Sequence, residues 1–207
     1  MCDPWWENET AWHRAWKDHF PVDWQEVVHH SKTGERHIAD VKTGDGWVIE
    51  FQHSHIKPEE RRSREAFYER LIWVVDGTRR KRDKPQLLRA WQEGVPITTV
   101  LRRAFSDDCG ALQDWAGSSA RLFIDLGESE VLWYVFHNTS GATYIHPVLR
   151  TEFIEWHRRP ATEIARQFEI LVSELPGLVA AYESRPRAQP VMRPPMDSRW
   201  FRRRPRL

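Results

Sequence analysis

Cysteine is almost missing from this chain of 207 residues: Cys2 and Cys109 are the only two. Neither has a CxxC partner, which argues against a disulfide framework and against a zinc–thiolate site. No run of about 18 apolar residues occurs, so no segment is expected to span a membrane. The first residues lack a basic stretch followed by an apolar core, so no secretory signal is expected and a reducing cytoplasm is the default setting. Net charge is also scarce, +1 from 31 basic and 30 acidic residues, and that total selects no partner by itself.

What is present says more. Hydrophobic residues make up 40% and charged residues 29%, the balance of a soluble globular chain. The length suits one domain with a sizeable core plus additions. Twelve tryptophans are many for this length; most belong in a core, and a few could stack on bases. Basic residues gather in two places, the run RRKRDK at 79–84 and the stretch after Ser184.

The most informative stretch is ERHIADVKTGDGWVIEFQHS, residues 35–54. It reads as two short strands joined by a Gly-Asp-Gly turn. Side chains alternate along a strand, so Glu50, Gln52 and Ser54 share one face and Trp47, Ile49 and Phe51 the other. A three-residue loop at Gly44, Asp45 and Gly46 places Asp40 directly opposite Glu50. Opposed residues of an antiparallel pair have Cβ atoms about 5 Å apart, and two carboxylates that close repel unless a proton or cation lies between them. A divalent cation suits two hard oxygen ligands. The plain alternative is an exposed hairpin edge carrying scattered acids.

An Asp, a turn, then Glu-x-Gln at the end of an apolar strand resembles the core of the PD-(D/E)XK nucleases. A fuller set is similar to the competence protein CoiA-like nuclease family: Trp12-His13 to Lys17, HIADV, VIEFQHS, an Arg-rich helix ending in Tyr68, and LIWVVDG. The resemblance covers residues 9–77, with EFQHS and the following Arg and Tyr its most specific part. Two positions depart from the superfamily pattern. Ala39 stands in place of Pro, and Gln52 stands in place of Lys.

Around that stretch, residues 9–20 read as a helix with Asn8 as N-cap and Pro21 as its stop. Trp12, Trp16 and Phe20 form its apolar stripe; Glu9 lies within the stripe, His13 at its border and Lys17 just beyond. Residues 22–28 fit a short helix or an irregular strand. His29, His30, His53 and His55 lack further ligands at zinc spacing. Pro58 opens a helix expected to reach about residue 70, with Arg61, Arg64 and Tyr68 on one face. That face is either a solvated basic stripe or, by the resemblance, phosphate and active-site support. The apolar run at 71–75 suits a strand buried on both faces.

Further on, 85–93 reads as helical, 95–120 gives no clear element beyond a helical turn near 112–115, and 122–126 with 131–136 reads as a hairpin followed by a strand at 142–145. Two helices, 151–158 and 161–175, are broken at Pro160. The expected architecture is therefore α/β. By the resemblance it is a restriction-endonuclease-like mixed sheet flanked by helices, with a C-terminal β-hairpin and helical additions, over residues 1–184. Residues 185–207, rich in Pro and Arg, read as a flexible basic tail suited to nucleic acid or to solubility.

The resemblance implies metal-dependent hydrolysis of DNA. Asp40 and Glu50 would hold Mg²⁺ or Mn²⁺, with the Phe51 carbonyl and His13 completing the shell. Gln52 would position water without supplying charge or a base, and Lys42 or Lys17 would compensate for the missing Lys. Glu9, Ser54, Arg64 and Tyr68 are expected in support. The contrasting expectation is a weak or inactive nuclease fold that binds DNA during recombination, and a third is a protein-interaction scaffold in which the acids are incidental.

Overall fold

A computed structural model describes residues 9–30, 34, 36–107, 109–127 and 130–185. The Asn8 cap and the basic tail beyond Arg185 lie outside the described residues. Nine strands form one mixed sheet in the order β1-β2-β3-β4-β7-β8-β9-β6-β5. The first three, β1 (Gln25–His30), β2 (Arg36–Lys42) and β3 (Val48–Gln52), run antiparallel to their neighbours. Helix α2 (Pro58–Phe67) then crosses to β4 (Leu71–Asp76), which pairs parallel with β3. Hairpin, helix and strand thus sit together at the centre of the chain's first half.

Helices cover both faces. On one, α1 (Ala11–Lys17), α5 (Arg150–Arg158) and α6 (Glu163–Glu183) bury Trp16, Phe153, Phe168 and Val172 against Ile49, Phe51, Ile72 and Phe123. On the other, Tyr68 after α2, Leu87 of α3 (Asp83–Gln92) and Leu112 of α4 (Gly110–Asp114) pack on Val48, Trp73, Leu122 and Ile124. Ile72, Trp73 and Val74 are fully buried, as a continuous apolar run between two helical layers requires.

Several boundaries differ from the sequence expectation, each for a local reason. Helix α1 starts later and ends sooner, because Thr10 caps it: its Oγ1 accepts the His13 N–H at 3.2 Å. Residues 22–28 divide into a 3₁₀ turn (Val22–Trp24) and strand β1. Helix α2 ends at Phe67, with Tyr68 already extended. The unclear region holds the short strands β5 (Val95–Pro96) and β6 (Arg102–Ala104), with β6 paired to β9 (Thr143–Leu149).

The expected C-terminal hairpin, β7 (Arg121–Asp125) and β8 (Val131–His137), is part of the main sheet, since β7 pairs parallel with β4. Helix α6 runs past the expected end and through Pro176; its apolar stripe continues to Val179, so packing carries it across the lost backbone donor.

Candidate active site

The geometry begins at the β2–β3 turn. Thr43 N–H donates to the Trp47 carbonyl at 2.8 Å, closing a loop of Gly44, Asp45 and Gly46. Gly46 has φ +81°, a left-handed conformation that glycine adopts without strain. A Cβ on Gly44 would lie 2.7 Å from Pro160 Cγ, and Asp45 accepts the Ala161 N–H at 2.9 Å, so the α5–α6 junction clamps the loop. This turn sets Val41 opposite Ile49 and Lys42 opposite Val48. Continued by one residue, the register brings Asp40 to Glu50.

There the regular ladder gives way to side chains. Phe51 N–H donates to Asp40 Oδ2 at 2.8 Å. Ala39 packs in the core on the α2 side and Val41 in the core on the α1 side, so β2 breaks its alternation at Asp40. On β1 the residue bracketed by the pairs Gln25–Val41 and Val27–Ala39 is Glu26, whose φ is +53°. A non-glycine residue there costs on the order of 1–3 kcal/mol and persists only where its surroundings impose it. The strain lies directly across from Asp40.

Glu50 is buried, 4% exposed, and its Oε2 accepts from Arg64 Nη1 at 3.1 Å. Arg64 reaches from α2, packs over the Trp73 ring and donates through Nη2 to Glu60 at 2.6 Å. Glu50 Oε1 has no hydrogen-bond partner among the described residues. Burial pushes the Glu50 carboxyl well above its ordinary value, the nearby Asp40 charge adds to this, and Arg64 opposes it. Burial also raises Asp40, against the Phe51 amide and the positive charges of His13, Lys17 and Arg64. Two carboxylates share one low-dielectric corner with incomplete compensation, a place suited to a proton or a cation.

The donor set bears on which cation. Among the described residues no group of three or more His, Cys, Asp or Glu side chains is placed to hold a metal ion. What the corner offers is two carboxylates, one with an unpartnered buried oxygen, and the neighbouring Phe51 carbonyl. That set does not fit zinc, which takes three or four nitrogen, sulfur or oxygen ligands from the protein. It does fit Mg²⁺ or Mn²⁺, hard ions that bind through one or two carboxylates and keep positions for water or phosphate.

His13 comes to the same place. Its Nδ1 accepts the Thr10 N–H at 3.3 Å, which leaves the ring proton on Nε2, and Nε2 donates to the Phe51 carbonyl. The two groups expected to complete a metal shell therefore touch one another. Lys17, one helical turn on, is buried; its ammonium pairs with Glu9 and lies 2.9 Å from Glu26. Gln52 is buried on the Glu50 side of β3, and its amide donates to Ser54 O and Oγ, both at 3.3 Å.

Other expected supports lie elsewhere. Lys42 is exposed and its charge acts on His29. Tyr68 is buried against His29 and Phe67. Arg61, grouped with Arg64 in the sequence, donates to the Asp114 and Ala116 carbonyls at 3.1 and 2.9 Å and fastens α2 to the end of α4. It serves packing.

Two carboxylates escaped the sequence reading. Asp125 Oδ2 accepts the indole N–H groups of Trp12 at 3.0 Å and Trp16 at 2.9 Å, while Oδ1 receives Gly127 N–H and Arg150. This holds α1, and with it His13, on the sheet. Asp76 stands beside Asp125 in the parallel register and binds His53. The signal was present: VVDG and FIDLG both end an apolar run in Asp shortly before Gly. That pattern marks the carboxyl ends of two neighbouring parallel strands.

This is an α/β protein with a mixed sheet flanked by helices. Compared with known proteins, the chain matches no family model, no curated protein and no solved structure.

Proposed function

We propose that this protein is a metal-dependent deoxyribonuclease of the PD-(D/E)XK kind, similar to the CoiA-like nucleases. The observation that carries the reading is the meeting of Asp40 with buried Glu50, whose Oε1 lacks a partner among the described residues. Asp40, Glu50 and the Phe51 carbonyl would hold Mg²⁺ or Mn²⁺. The ion supplies an activated water and neutralises charge on a scissile phosphate.

The chain's own residues do the rest. Arg64 limits the cost of keeping Glu50 ionised. Phe51 N–H orients Asp40, and His13 orients the Phe51 carbonyl. Gln52 can hydrogen-bond water once its amide turns from Ser54. Lys17, close enough to favour the Asp40 carboxylate, is better placed than exposed Lys42 to supply the cation that Gln52 lacks. Contacts to DNA are expected through phosphates, with weak sequence preference.

A second reading is a nuclease fold that binds DNA in recombination without cutting it. Gln52 favours it, being uncharged and engaged with Ser54. The deciding experiment incubates single-stranded, linear and circular double-stranded DNA with the protein in Mg²⁺, Mn²⁺ and EDTA. Cleavage in metal and none in EDTA supports the nuclease. Retarded DNA without cleavage transfers the case to the binding module, and neither binding nor cleavage removes both.

A further inference from the structure

The nuclease reading leaves one requirement unmet. Gln52 supplies no base, so the proton released by an attacking water needs another acceptor. His53 follows directly on the strand. Its Nδ1 lies 2.7 Å from Asp76 Oδ2, and Asp76 is itself fixed through Oδ1 by the Thr78 N–H at 2.7 Å and hydroxyl at 2.6 Å. A carboxylate that only accepts holds the imidazole with its proton on Nδ1. The basic lone pair is then on Nε2, which has no hydrogen bond among the described residues.

Exposure separates the two groups of this pair. The Asp76 side chain is 3% exposed and the His53 side chain 35%, so a buried orienter carries a ring that reaches water. The ring stands 6.3 Å from that of His13 and 6.2 Å from that of Trp12, beside the Phe51 carbonyl end of β3. Charged and titratable groups around it are His13 on α1, Asp76 on β4, Arg79 and Arg80 on the following loop, Asp83 on α3 and Asp114 at the end of α4, with His55 on its own segment. A histidine needed merely to tie β3 to β4 would gain nothing from an open Nε2.

We propose that His53 is the general base of the reaction and Asp76 its positioning residue, an inference that rests on the nuclease reading. His53 Nε2 accepts a proton from water as the water oxygen bonds to phosphorus. The bond from phosphorus to the leaving sugar oxygen breaks, that oxygen takes a proton from solvent, and the imidazolium returns its own to solvent. Nothing is oxidised or reduced.

The test uses the full chain with Mg²⁺ and a DNA substrate cleaved by the wild type. His53→Gln keeps a donor toward Asp76 and should lower kcat on the order of 10²-fold. It should also remove the rise of kcat with pH that a histidine base produces. Imidazole should restore cleavage to His53→Ala. Asp76→Asn should lower kcat about tenfold and leave KM unchanged, since it disturbs orientation alone. The Mg²⁺-induced rise in melting temperature should be the same in His53→Gln as in the wild type.

Cleavage by His53→Gln within about threefold of wild type, with the pH rise intact, overturns the proposal while leaving the nuclease reading standing. Loss of cleavage together with loss of the Mg²⁺ thermal shift, without imidazole rescue, also overturns it, by assigning His53 to the fold or the metal. Absence of cleavage by the wild type defeats the nuclease reading itself, and the base with it.

Discussion

The backbone N–H of Phe51 and the carboxylate of Asp40 are joined at 2.8 Å, at the point where the β2–β3 ladder ends. This single hydrogen bond ties the carboxylate of one strand to the peptide of the next, on which Glu50 is the preceding residue. Everything proposed for the site depends on that juxtaposition.

Glu50→Gln should abolish metal-dependent cleavage while leaving DNA binding largely intact, because size is kept and a negative ligand is lost. Gln52→Ala should cost less, since only water positioning suffers. Gln52→Lys should remain active or gain activity. Kinetics of the three variants on one substrate check this; a fully active Glu50→Gln removes the metal site.

Glu50 also predicts how stability depends on pH. Its folded carboxyl is raised above the ordinary 4.5, so the folded state holds the proton more tightly than the unfolded chain. That contribution is complete below about pH 4.5 and is lost as pH rises through the folded value. Buried His19, His29, His137, His146 and His157 are lowered and act oppositely up to about pH 6.5. The comparison is therefore between variants. In EDTA, melting of the wild type should fall relative to Glu50→Gln as pH rises above 4.5, and Mg²⁺ or Mn²⁺ should reduce the difference. Parallel curves for the two proteins contradict this.

Arg64→Met leaves Glu50 buried without its partner, which should cost about 3 kcal/mol at pH 8. The cost should shrink at pH 5, where Glu50 takes up a proton instead. Adding Glu50→Gln should recover much of the loss, so the double variant is more stable than additivity allows. Denaturant melts at both pH values measure the coupling; simple additivity would assign Arg64 to another task.

His157 tests the far side of the sheet. Burial lowers it to about 4, with Nδ1 held at the Phe153 carbonyl and the ring between Phe153 and Phe168. The unfolded chain takes up this proton first, so stability should rise with pH from about 4 to 6.5, by ~3 kcal/mol from this group. His157→Phe should flatten that part of the curve, as read by urea midpoints across the range.

Truncation after Ser184 should weaken DNA binding and flatten its salt dependence, because the Arg-rich residues removed no longer release counterions from phosphates. Affinity measured across a salt series checks this. An unchanged slope assigns the tail a different role.

Local chemistry made the centre of this protein legible in its sequence. The Gly-Asp-Gly loop specifies a tight hairpin, and a period of two along 35–54 then dictates which residues oppose. The apolar runs at 71–75 and 122–126 disclosed buried strands because two helical layers demand continuous hydrophobicity there. Long-range pairing decided the rest. Nothing local to residues 121–125 says that β7 runs parallel beside β4, yet that pairing places Asp125 next to Asp76 and beneath Trp12 and Trp16. Likewise, Arg61 and Arg64 are equivalent on a helical face until packing sends one to the end of α4 and the other to Glu50. Glu26 gained its strained backbone only when β1 was laid against Asp40. Turn type and alternation are properties of a few adjacent residues, whereas burial, ion pairing and carboxylate strength arise from neighbours far along the chain, which only the tertiary structure supplies.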